Sequence, residues 1–109
     1  MTTVTITKDA DDNYKGFECS GHAGFAHSGR DIVCAAISVL TINTMNSIEK
    51  FTGDKVDAFQ DDHEGILGLN FQDIPSKDAD LIMKTYELGV TSIFEQYGKK
   101  FLNIKFRRE

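Results

Sequence analysis

With 109 residues, 40% of them hydrophobic and 27% charged, the chain has the make-up of one small globular domain, and wholesale disorder is excluded. A formal net charge of -5 argues against a general nucleic-acid binder, which needs a basic face, and would welcome small basic substrates or tails instead. The amino terminus, MTTVTITKDADD, lacks the basic residues and apolar run of a secretory signal, and too few apolar residues follow one another to span a bilayer. A cytoplasmic protein without a membrane partner is therefore expected, with Cys19 and Cys34 as reduced thiols rather than a disulfide.

Residues 2–8 alternate Val4 and Ile6 with threonines and read as a strand, followed by a polar turn over Asp9 to Asn13. Residues 14–20 put Phe17 and Cys19 on one face and Tyr14, Gly16 and Glu18 on the other, predicting a second strand in a hairpin with the first, with Cys19 toward the core. Gly21, Gly24 and Gly29 open a loop with few apolar anchors, the composition of a segment able to move. Asp31 then reads as the N-cap of a helix running from Ile32 to about Phe51, with Gly53 as its stop. That helix is apolar on more than one side, which predicts burial against both the sheet and a second subunit.

A second hairpin is expected from residues 55–61 and 66–72 around the turn Asp62 to Gly65, with Leu67, Leu69 and Phe71 on its core face. From Ser76, the positions Ala79, Ile82, Met83, Tyr86, Val90, Ile93, Phe94 and Tyr97 recur at helical spacing as far as Gly98. A last strand at 100–107 would turn Leu102, Ile104 and Phe106 inward. The order ββαββαβ predicts a single α+β domain over 1–109, with both helices against a mostly antiparallel five-stranded sheet.

The chemistry concentrates between Gly21 and Ser38. With Asp31 as N-cap, Cys34 is the third residue of the helix, where unpaired amides and the helix dipole favour a thiolate, although the Asp31 carboxylate opposes a second anion. His22, twelve residues upstream between Gly21 and Ala23, is expected to fold back over the helix start and supply the imidazole that activates the sulfur. Asp31 would cap the helix, orient His22, or do both, and Ser38, one turn after Cys34, could line the site or bond back to the Cys34 carbonyl. The bland alternative makes Cys34 a small core residue and His22 an exposed loop residue. A zinc site from Cys19, His22, His27 and Cys34 is the metal alternative; against it, Cys19 falls on a core-facing strand position and the apolar content needs no metal. A redox pair of Cys19 and Cys34 lacks the close spacing that tunes such sites. His63, in an acidic turn, reads as a surface residue, and the glycine loop lacks the P-loop pattern, so no cofactor is expected.

On Gly21-His22-Ala23, then Asp31-Ile32-Val33-Cys34-Ala35-Ala36 with Ser38, the sequence closely resembles the bacterial ribosomal-processing cysteine proteases, the Prp family. The likeness extends over the whole chain and its ββαββαβ order. It implies a homodimeric cysteine endopeptidase that removes the amino-terminal extension of a large-subunit ribosomal protein, the one numbered twenty-seven, during ribosome maturation. It also implies catalytic roles for His22 (general acid/base) and Cys34 (nucleophile), and places Asp31, Ser38, Gly21 and Ala23 around the site and the peptide. The family's target carries aromatic residues before the cut and basic residues after it. The competing expectation is a non-enzymatic dimeric module that binds a ribosomal protein or assembly factor, with Cys34 only structural.

Overall fold

The computed structural model describes residues 1–21, 30–97 and 100–109, and of Arg30 and Asp31 the backbone only. The elements follow in the expected order: β1 (Thr2–Lys8), β2 (Tyr14–Ser20), α1 (Arg30–Phe51), β3 (Val56–Asp61), β4 (Ile66–Phe71), α2 (Lys77–Tyr97) and β5 (Leu102–Arg108). One five-stranded sheet runs β3-β4-β2-β1-β5. The β1-β2, β2-β4 and β3-β4 pairs are antiparallel, whereas β5 lies parallel to β1, so the sheet is mixed. A parallel neighbour follows from the connection: α2 carries the chain back to the end of the sheet where β1 starts, and Thr2 donates its amide to the Phe101 carbonyl there.

Both helices cover one face. Val4, Ile6, Phe17, Cys19, Leu67, Leu69 and Leu102 rise from the sheet to meet Val33, Ile37 and Ile48 of α1 and Ala79, Met83, Tyr86 and Val90 of α2. The opposite sheet face carries Thr3, Thr5, Thr7, Glu18 and Asn70, the polar half of each strand's alternation. Tyr14 departs from the strict alternation of β2. The register shifts beside Lys8, pairing Thr7 with Gly16 but Lys8 with Tyr14, and the extra residue, Lys15, returns Tyr14 to the helix side. There Tyr14 is buried and donates its hydroxyl to Glu87 of α2 at 2.8 Å. Burial, followed by the Glu87 bond and charge, pushes the Tyr14 phenol well above its ordinary range.

The second helix starts on a double cap. Asp54 accepts bonds from the Ser76 amide (2.7 Å) and hydroxyl (2.5 Å), and the Ser76 oxygen accepts from the Ala79 amide at 3.2 Å. Of the inward positions expected on β5, Leu102 is buried and Ile104 half-buried, but Phe106 is 59% exposed, because β5 is an edge strand and its far end runs out from under α2. By length and composition α1 holds a stretch, Ile32–Phe51, apolar enough to cross a membrane, contrary to the expectation from the sequence. Its buried stripe of Val33, Ile37, Thr41, Thr44 and Ile48 packs in the core, as in the central helix of a small domain.

Candidate active site

Chain direction puts the carboxyl end of β2 and the amino end of α1 at the same end of the sheet. Gly21 closes β2 with a φ of +81°, a conformation glycine adopts without strain. Its amide donates to the Gly65 carbonyl at 2.9 Å, and a side chain there would run into the Met1 carbonyl oxygen. Gly21 is thus fixed to the turn between β3 and β4, and the chain leaves the sheet from a defined point. His22 and Ala23, together with His27 of the metal alternative, lie outside the described residues.

The helix opens at Arg30, two residues before the expected start, so Asp31 falls inside the first turn instead of at the N-cap. Cys34 is then the fifth residue of α1, one turn in, and its own amide is no longer among the helix's unpaired donors. Those donors belong to the turn before it. An acidic residue in that first turn still complements the positive end of the helix.

Cys34 is half-buried, as is Ser38 one turn on. Positions 34, 38 and 45 form one half-buried flank of α1, beside the fully buried stripe. The other flank, through Leu40, faces α2: a Cβ built on Gly89 would stand 3.0 Å from a Leu40 methyl. Cys34 therefore sits on the side of α1 that is turned away from the second helix.

Beneath it the core is polar at one point. The Thr41 hydroxyl donates to the Ile37 carbonyl at 2.8 Å and meets the Tyr86 hydroxyl at 2.8 Å, while the Tyr86 ring packs on Phe17 with centroids 4.7 Å apart. Cys19 joins this cluster by a hydrogen bond to Thr41. Burial pushes the Cys19 thiol up to about 12, the nearby Cys34 sulfur adds to the rise, and the Thr41 bond opposes it. The two cysteines thus differ in kind: Cys19 is a fully buried, neutral sulfur in the core, and Cys34 is partly open to solvent on an element held from below.

His63 is exposed in the β3-β4 turn, where its backbone amide donates to Asp61. No sequence pattern marks Thr41 and Tyr86 as a pair. They sit 45 residues apart on different helices, and only the packing brings them together.

The site thus presents a half-buried cysteine near the amino end of a helix, on a two-helix α+β sheet, and its similarity to known proteins places this fold among the cysteine proteases. The family model for the cysteine protease Prp matches residues 1–102, and the chain belongs to that family. It is 31% identical over 106 residues to the ribosomal processing cysteine protease Prp of Staphylococcus aureus, covering 96% of this chain and all of the relative. The fold superposes on the S. aureus Prp crystal structure in complex with a substrate peptide with a TM-score of 0.86 at 28% identity, over the full length of both chains. The S. aureus Prp structure with a covalently linked product peptide gives a TM-score of 0.82 at 29% identity, again over both full lengths.

Proposed function

We propose that the chain is a cytoplasmic cysteine endopeptidase that removes the amino-terminal extension of a large-subunit ribosomal protein, with Cys34 as nucleophile and His22 as general acid and base. The observation that supports this reading best is Cys34 itself, half-buried one turn into α1 in a chain of the Prp family. The Cys34 thiolate attacks the scissile carbonyl to form a thioester, and the C–N bond breaks as His22 protonates the leaving amine. His22 then takes a proton from water, which attacks the thioester and frees Cys34. The unpaired amides of the first turn of α1 are suited to hold the oxyanion. Asp31, in the same turn, serves the helix end or orients His22, and Gly21, Ala23 and Ser38 flank the bound peptide.

The active form is a homodimer, built on the outer face of α1. Ile32 and Val39 are each 67% exposed, and Ile42 follows on the same side, an apolar stripe opposite the core. Val39→Glu should lower the sedimentation coefficient to that of a monomer.

Mass spectrometry of the ribosomal protein after incubation tests the activity. Wild-type protein should shorten it at one bond, and Cys34→Ser and His22→Ala should leave it intact. Cleavage undiminished in Cys34→Ser would overturn the assignment, and binding without cleavage by the wild type would make the chain a binding module.

A further inference from the structure

Hydrophobicity alone does not orient α1. Its outward side carries the exposed residues Ile32, Val39 and Ile42, while the stripe turned to the sheet includes two buried threonines, Thr41 and Thr44, among Val33, Ile37 and Ile48. A helix so evenly apolar would bury comparable area after a turn about its axis, so a directional contact has to hold it. Thr41 makes that contact. Its hydroxyl proton goes to the Ile37 carbonyl at 2.8 Å, which leaves the oxygen to accept from the Tyr86 hydroxyl of α2, also at 2.8 Å, and Cys19 of β2 bonds to the same group. One hydroxyl thereby ties α1 to the second helix and to the sheet, at a point where Thr41, Tyr86 and Cys19 are all fully buried. The Tyr86 ring is itself held against Phe17, with centroids 4.7 Å apart and planes tilted by 43°, so its hydroxyl is presented from a fixed place. Apolar groups of the same shape would stand there at nearly equal stability. What they would not supply is direction.

We propose that Thr41 and Tyr86 are positioning residues for Cys34, a buried key that sets the roll of α1 and with it the direction of the sulfur. The proposal rests on the protease reading for the reaction it serves. Thr41 follows Cys34 by seven residues, two turns along the helix and nearly in line with it, so the roll fixed at residue 41 is the roll delivered at residue 34. About 5 Å from the helix axis, a turn of roughly 20° carries a side chain about 2 Å sideways. A misplacement of about 1 Å at the reacting atoms is enough to cost about a hundredfold in rate. A nucleophile on a helix that its apolar pattern leaves free to turn therefore needs a lock of this kind.

Removing the key while keeping the ring tests the proposal. Tyr86→Phe retains the contact with Phe17 and deletes only the hydroxyl, Thr41→Val deletes its partner, and Thr41→Ser keeps it. Cleavage of a synthetic peptide spanning the junction between the extension and the mature ribosomal protein is read beside alkylation of Cys34 by iodoacetamide, both well below the unfolding midpoint of every variant. Tyr86→Phe and Thr41→Val should each lower kcat at least tenfold with KM within twofold. Each should also change the Cys34 alkylation rate at least threefold, since roll alters both the exposure of the sulfur and what faces it. The double variant should lose no more kcat than either single one, and Thr41→Ser should stay within twofold of wild type in both readings. Asp54→Ala, which loosens α2 at its cap, controls for lost stability and should leave both rates within twofold. Undiminished kcat in both Tyr86→Phe and Thr41→Val, or an equal loss in Asp54→Ala, overturns the key. If the wild type does not cut the peptide, alkylation decides: a change in Tyr86→Phe and Thr41→Val that Thr41→Ser does not share keeps the key and drops the protease reading, and unchanged rates drop both.

Discussion

The two cysteines offer the sharpest quantitative check, because the structure gives them opposite environments. Alkylation requires the thiolate and access to it. Cys19 meets neither condition: it has no exposed surface, and its thiol is pushed up to about 12 from an ordinary value of 9.0. That rise lowers its ionised fraction near neutral pH about a thousandfold below that of an ordinary thiol, before lack of access is counted. Native protein treated with iodoacetamide at about pH 7.5 should therefore gain one adduct by intact mass, mapped to Cys34 by peptide analysis, and gain the second only in denaturant. Cys34→Ser should take up none in the folded state on the same timescale. His22→Ala should slow the Cys34 adduct if His22 activates the sulfur. Native labelling of Cys19 at a rate within tenfold of Cys34 would refute the reasoning, since it would mean the core over Cys19 opens or its thiol ionises far more easily than its burial dictates.

Cys19 also predicts a loss of stability in alkali: below about pH 9 it is protonated in both states, but between pH 9 and about 12 only the folded chain keeps the proton. Unfolding free energy from urea titrations should fall across that window by up to about 1.4 kcal/mol per pH unit, and Cys19→Ala should flatten the slope. Tyr14 and Tyr86, both raised mainly by burial, should steepen it at the upper end. Asp54→Ala removes both bonds that steady the cap of α2 and should cost about 1 kcal/mol in the same titration; Ser76→Ala should match it, and the double variant should cost little more because the two act as one cap. Gly68→Ala places a methyl against the Phe17 carbonyl oxygen, 2.9 Å from the Glu18 Cα and 2.7 Å from the Phe59 ring. Neighbouring backbone cannot step aside within a sheet, so a loss of about 2 kcal/mol is expected, lowering the melting temperature by about 10 °C.

The elements were legible in the sequence wherever alternation or helical spacing was regular. Val4, Ile6, Leu67 and Leu69 mark their strands' inner faces by period two, and Ala79, Met83, Tyr86 and Val90 mark the buried side of α2. What pattern does not carry is neighbourhood. A strand's alternation is the same whether its partner is parallel or antiparallel, so the pairing of β5 with β1 had to come from the structure. The bulge at Lys15 breaks the count that assigns Tyr14 to a face, and an edge position exposes Phe106 despite its inward parity. At the site, the motif singled out Cys34 and Ser38, which share one half-buried flank of α1. The start of α1 at Arg30 moved Asp31 from cap to first turn, a boundary shift of two residues of the size that local signals leave open.

The asymmetry of α1 links the fold to the chemistry. One flank is committed to α2, and the buried stripe is committed to the sheet through Ile37 and through the Thr41–Tyr86 pair that locks the two helices at 2.8 Å. A helix held on those two sides has little freedom to roll, which fixes the direction in which residue 34 points. The remaining flank is half-buried, and its residues are small or polar, Cys34 and Ser38, until Met45. Had the second helix covered β3, the same sulfur would be an ordinary core thiol like Cys19. The sheet is one strand wider than the helices that cover it, and among the described residues Cys34 lies at that margin of the helix layer, on an element held from two sides.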